Sequence, residues 1–246
     1  MRSTKAQSTC HAEFIESKTS CLSFFNNYII CGSYDQRINT LSLFSIEICN
    51  VGSELNSHAI IDIESDATII KCLPDVEKAV CALSNGSVSL FSVNPKLIEN
   101  DMTFTSLHNG SIPSMILRLP ELITFGEDCK MCFIRLDHQQ HKVIENFDCC
   151  TINTSVLIGS NTVATGNSIG QLKLWDFRTS YERPVKVLST SNKKLSVECM
   201  DVKPDEPDIL ATGNCEGQLG IWDLRNENSP VTLHEAHSSN GMLSNP

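Results

Sequence analysis

Apolar and polar residues alternate at five places along the chain, each ending on a bulky anchor: Phe44, Phe91, Ile134, Trp175 and Trp222. One and three positions before the anchors stand Leu43 and Leu41, Leu90 and Val88, Phe133 and Met131, Leu174 and Leu172, and Ile221 and Leu219. Between them lie Ser42, Ser89, Cys132, Lys173 and Gly220, all small or polar. A period of two sends successive side chains to opposite faces, so each segment predicts a strand. A second apolar run precedes each one, over 29–33, 79–84, 122–126, 162–166 and 209–213, with turn formers in between. Asn85-Gly86 predicts a type I′ hairpin turn, because both residues tolerate positive φ; Asp128 and Asn214 suit other tight turns.

The hairpins repeat. Successive anchors are 47, 43, 41 and 47 residues apart, close to the period of about 40–45 of a propeller blade. The two clearest copies are Gly170-Gln-Leu-Lys-Leu-Trp-Asp-Phe-Arg178 and Gly217-Gln-Leu-Gly-Ile-Trp-Asp-Leu-Arg225. No long segment of 3.6-residue period lies between hairpins, which argues against parallel α/β units. The expected fold is an all-β propeller of about five blades over residues 1–237, with a sixth starting at 231–237 and a polar tail over 238–246. A large ring at Trp175 and Trp222 fills the gap between splayed sheets, and its N–H reaches a polar neighbour, so both are read as core residues.

Composition narrows the function classes. At 246 residues and 41% hydrophobic content the chain is long enough for a sizeable core. Its 29 acidic and 19 basic residues give a net charge of −10, spread along the chain, which disfavours direct contact with nucleic acid. Twelve cysteines without a leader-like N-terminal segment suggest reduced, intracellular thiols rather than a disulfide framework. No apolar run reaches the roughly 18 residues of a bilayer span, so no direct membrane contact is expected.

The repeats, with Thr165-Gly-Asn-Ser-Ile-Gly-Gln-Leu-Lys-Leu-Trp-Asp-Phe-Arg178, Ile123-Thr-Phe-Gly-Glu-Asp128, Leu210-Ala-Thr-Gly213 and Ile221-Trp-Asp-Leu-Arg225, resemble the WD-repeat family. More narrowly they are similar to its small nucleoporin of the Y-shaped outer-ring complex of the nuclear pore. Ser229-Pro-Val-Thr-Leu-His-Glu-Ala-His237 is similar to that family's lead into a further blade. The resemblance spans most of residues 28–237. It implies a non-catalytic scaffold docked on an α-helical nucleoporin, located at the nuclear pore and at kinetochores in mitosis, and linked to RNA and protein transport. It also implies a seven-bladed parent needing about 300 residues, so the five blades here read as a C-terminally truncated, open arc. Phe44, Phe91, Ile134, Trp175, Asp176, Trp222 and Asp223 are its structural markers. The usual turn aspartate has counterparts at Asp35 and Asp128, with Glu216 near that place in the fifth blade; the second and fourth blades lack it.

Other motifs carry little chemistry. Cys129-Lys-Met-Cys132 is half a metal site without a second half. Cys149-Cys150 reads as a pair of small strand residues before a redox one. His234-Glu-Ala-His237 lacks the zincin spacing, and no nucleotide loop or nucleophile elbow is present. No enzyme activity, cofactor, metal or small-molecule substrate is therefore expected. The main rival function rests on Arg178 and Arg225, since Trp-Asp-x-Arg resembles the box of substrate receptors of cullin-RING ubiquitin ligases. Such arginines more often pair locally at modest energy. A third class, a peptide reader, finds no aromatic cluster to support it.

Overall fold

The computed structural model describes residue 15 and residues 17–49, 52–189, 195–225 and 230–237. Every expected hairpin forms and gains two flanking strands. The first sheet comprises β1 (Thr19–Phe25), β2 (Tyr28–Ser33), β3 (Asn39–Cys49) and β4 (Gly52–Ile63), and the second β5 (Ala67–Leu73), β6 (Lys78–Leu83), β7 (Val88–Asn94) and β8 (Leu97–Phe104). The third contains β9 (Ser114–Arg118), β10 (Glu121–Phe125), β11 (Met131–Arg135) and β12 (Gln140–Ile144), and the fourth β13 (Ile152–Leu157), β14 (Thr162–Asn167), β15 (Gln171–Asp176) and β16 (Lys186–Ser189). The fifth is β17 (Val197–Lys203), β18 (Glu206–Asn214), β19 (Gln218–Asp223) and β20 (Thr232–Glu235). Each sheet is a four-stranded meander with neighbours hydrogen-bonded in chain order.

The chain divides into two compact units, Met1–Leu83 with Ser89–Thr103, and Ser84–Val88 with Phe104–Pro246. In the first, Ile30, Leu41 and Leu43 of one sheet pack against Ala67, Ile70, Cys81 and Leu83 of the next. In the second unit, Ile123, Phe125 and Met131 meet Ile152, Val163 and Trp175, while Ala164, Leu172 and Leu174 meet Leu210 and Trp222. Stacking one sheet's apolar face on the next gives each hairpin the burial that it cannot supply alone.

Two expectations change. Residues 232–235, placed at the start of a sixth blade, form the outer strand β20 of the fifth sheet, with Ile221 opposite Thr232 and Gln218 opposite Glu235. This exposed four-residue segment satisfies backbone groups by pairing with β19. The Asn85-Gly86 turn is not type I′. Only Gly86 has positive φ, at 81°, while Asn85 caps the turn by accepting the Ser87 amide and hydroxyl. The tail over 238–246 lies outside the described residues.

Candidate functional site

The anchor Trp of each of the last two hairpins is held by one threonine. Trp175 Nε1 donates to Thr165 Oγ1 at 2.9 Å, and Trp222 Nε1 to Thr212 Oγ1 at 2.9 Å, with both rings buried. Cross-strand register explains the pairing, because Thr165 lies opposite Lys173, two residues before the ring and on its face. In the first sheet the residue in that place is Cys31, opposite Ser42, and its anchor is Phe44, which needs no acceptor. The second sheet likewise has a buried Cys81 ten residues before Phe91.

The third sheet, with Ile134 as anchor, frees its Thr124 for another partner. His108 comes from the loop before β9, and its Nε2 lies 2.8 Å from Thr124 Oγ1 and its Nδ1 3.0 Å from Asp128 Oδ1. Asp128 also accepts the amides of Asn109 and Lys130. Burial holds the His108 pKa below the ordinary imidazole value, against the opposing pull of Asp128. Burial pushes Asp128 up, but the Asn109 amide and His108 outweigh it and hold its carboxyl below the usual range. His108 was missed in the sequence because it lies 20 residues from its aspartate, with no local motif to tie them.

In the last two sheets an asparagine two positions earlier in the hairpin than Asp128 holds the turn instead. Asn167 Oδ1 accepts the amides of Ile169 and Gln171 while its Nδ2 donates to Gln171 Oε1. Asn214 repeats this with Glu216 and Gln218. Glu216, read as a stand-in for the turn aspartate, lies exposed, and Asp35 instead pairs with Lys18 at the surface. Each blade therefore satisfies its turn, but by different chemistry.

Arg178 and Arg225 sit at equivalent places and make the same contacts. Arg178 Nε donates to Asp176 Oδ1 at 2.9 Å and its Nη2 to Oδ2 at 2.6 Å; Arg225 forks on Asp223 at 2.9 and 2.8 Å. The guanidinium hydrogen bonds hold each carboxyl down at about 2. Both arginine side chains remain open to solvent, 68% and 62% exposed. Lys173 turns inward instead and meets Asp148 at 2.7 Å, in a buried ion pair.

The first sheet exposes apolar side chains on its two outer strands. Leu22 lies opposite Cys31, which lies opposite Ser42, which lies opposite Ile60, and Phe24 follows in line with Ile29 and Phe44. Leu22, Phe24 and Ile60 are 59%, 66% and 61% exposed, with Cys31, Ser42 and Phe44 buried between them, and the neighbouring Leu22 and Phe24 form a small exposed apolar patch.

Repeated four-stranded meanders, ring anchors tied to a strand hydroxyl in the last two sheets, and Trp-Asp-x-Arg ends are the features of a β-propeller fold of WD-repeat type. The solved structure of Sqt1 from Chaetomium thermophilum shows the same fold, with a TM-score of 0.69 and 16% identity over 92% of this chain and 61% of that one. The sequence is similar to nucleoporin Nup43 of Mus musculus and of Homo sapiens, 32% identical to each over an alignment of 228 residues that covers 85% of this chain. It spans 60% of the length of these relatives. No family model matches the chain.

Proposed function

We propose that the chain is a non-enzymatic scaffold or adaptor subunit of the nuclear pore outer ring, at the nuclear envelope in interphase and at kinetochores in mitosis. The observation that carries this reading is its 32% identity to a nucleoporin over 85% of its length. Other outer-ring nucleoporins are its partners, with an α-helical scaffold nucleoporin as the docking site, and its role supports transport of RNA and protein. The exposed Leu22 and Phe24 offer a surface for such an assembly. The test is affinity purification of the tagged chain from nuclear extract, followed by mass spectrometry after a stringent wash. Recovery of several outer-ring nucleoporins is expected; recovery of none of them overturns the reading.

The exposed guanidinium groups of Arg178 and Arg225, repeated in successive blades, favour a second reading as a substrate receptor of a cullin-RING ligase. The two readings part under mutation. Replacing both arginines by Ala removes a cullin adaptor from the purified material in the second reading and leaves nucleoporin recovery unchanged in the first.

A further inference from the structure

The loop between β12 and β13 brings together ligand atoms that the anchor and turn contacts leave unused. A carboxylate oxygen of Asp148 and the Sγ atoms of Cys149 and Cys150 all lie within 4.8 Å of one another. The two sulfurs are 4.0 Å apart, and Cys150 Sγ is 3.8 Å from Asp148 Oδ1. Two thiolates on one tetrahedral zinc at about 2.3 Å stand about 3.8 Å apart. The loop thus already holds the sulfurs near ligand spacing, well beyond the roughly 2 Å of a disulfide.

A second observation comes from the carboxylate. The Asp148 side chain is fully buried, and its Oδ1 accepts from Lys173 Nζ and from the Cys149 amide. Its Oδ2 is buried with no hydrogen-bond partner. A buried carboxylate oxygen left without a donor or cation costs free energy, and this one belongs to the carboxylate whose Oδ1 lies 3.8 Å from Cys150 Sγ. Cys149 is exposed and Cys150 half-buried, which leaves a path from solvent.

We propose that Asp148, Cys149 and Cys150 form a binding site for a thiophilic divalent cation, zinc foremost. The charges close. Lys173 neutralises Asp148, and a divalent cation that displaces one proton from each thiol is balanced by the two thiolates it creates. Two S–H bonds break, two metal–sulfur bonds form, and two protons go to solvent, with no change in oxidation state. Sulfur ligands select zinc over magnesium or calcium. Three protein ligands leave a fourth tetrahedral position for water or for a partner's side chain. Cys132 takes no part, because it points into the core, where burial pushes its thiol up to about 12, whereas Cys129 borders the site and its carbonyl accepts the Asp148 amide.

The test is titration of the reduced, metal-stripped full chain with zinc against a chromophoric chelator, and with cadmium for its sulfur charge-transfer band. One equivalent of metal and release of two protons are expected. X-ray absorption of the zinc form should show two sulfurs, with the remaining ligands oxygen or nitrogen. Cys149→Ser and Cys150→Ser should each weaken binding by more than about 100-fold, beyond the 10- to 100-fold typical of supporting residues. The paired Cys199→Ser, Cys215→Ser variant should bind as the parent does. Circular dichroism of each variant separates lost ligation from lost folding. Failure of the folded parent to compete for zinc, unchanged binding by the folded Cys149→Ser variant, or a four-sulfur environment overturns the proposal.

Discussion

At the scale of residues, the protein matches each anchor to the residue beneath it. Trp rests on Thr, Phe on Cys, and the Thr beneath Ile134 is taken by His108. Exchanging one partner alone strands a buried polar group, which costs about 1–3 kcal/mol. Thr165→Cys or Trp175→Phe should each lower stability by that amount plus any packing loss. The double variant should recover part of the deficit, giving a coupling of about 1 kcal/mol in chemical denaturation. Strictly additive losses would show that the hydrogen bond contributes little. His108 gives a second prediction. Its folded pKa lies below the ordinary value of 6.5, so the unfolded chain takes up the proton first as pH falls. The stability it contributes is complete above about pH 6.5 and is lost as pH drops towards the folded pKa. His108→Gln should be less stable at pH 7.5, through loss of the Asp128 contact, and should show a shallower fall in Tm from pH 7 to 5. An unchanged slope would assign that fall to other groups.

At the scale of elements, three hairpins place glycine five residues before the anchor. Gly86, Gly170 and Gly217 have φ of 81°, 80° and 79°. At Gly170 a side chain is excluded twice over, by this backbone conformation and because a Cβ would meet Leu195 O at 2.5 Å. The third hairpin puts Cys129 in the same place, at φ 62°. A Cβ there costs about 1–2 kcal/mol, partly offset by the extra chain entropy that glycine loses on folding. Cys129→Gly should therefore raise stability by about 0.5–1 kcal/mol, read as an increase in Tm; a decrease would mean that the thiol contributes more than the turn costs. The hairpins themselves were legible in the sequence because period two and turn residues are local signals. The outer strands were less so: β16 and β20 are four residues long and lie wholly or largely on the surface, where no apolar alternation is required of them.

At the scale of the whole molecule, Leu22 and Phe24 of the first sheet's outer strand remain open to solvent. Leu22→Asp with Phe24→Asp should leave the fold intact, because neither side chain is buried, and should strip partners from affinity-purified material by tenfold or more, on the order of the loss of a hot-spot contact. Retention of all partners would place the interface elsewhere. Repeat spacing, strand alternation and the Trp-Asp ends were fixed by local chain chemistry, and these alone determined the number and kind of blades. Tertiary structure decided what local chemistry leaves open. It paired His108 with Asp128 across 20 residues, turned Lys173 inward to Asp148 while Arg178 stayed at the surface, and gave residues 232–235 to the fifth sheet. The physical reason is that a strand's period sets which face a residue takes, whereas its partner on that face is set by whichever distant segment the sheets stack against it.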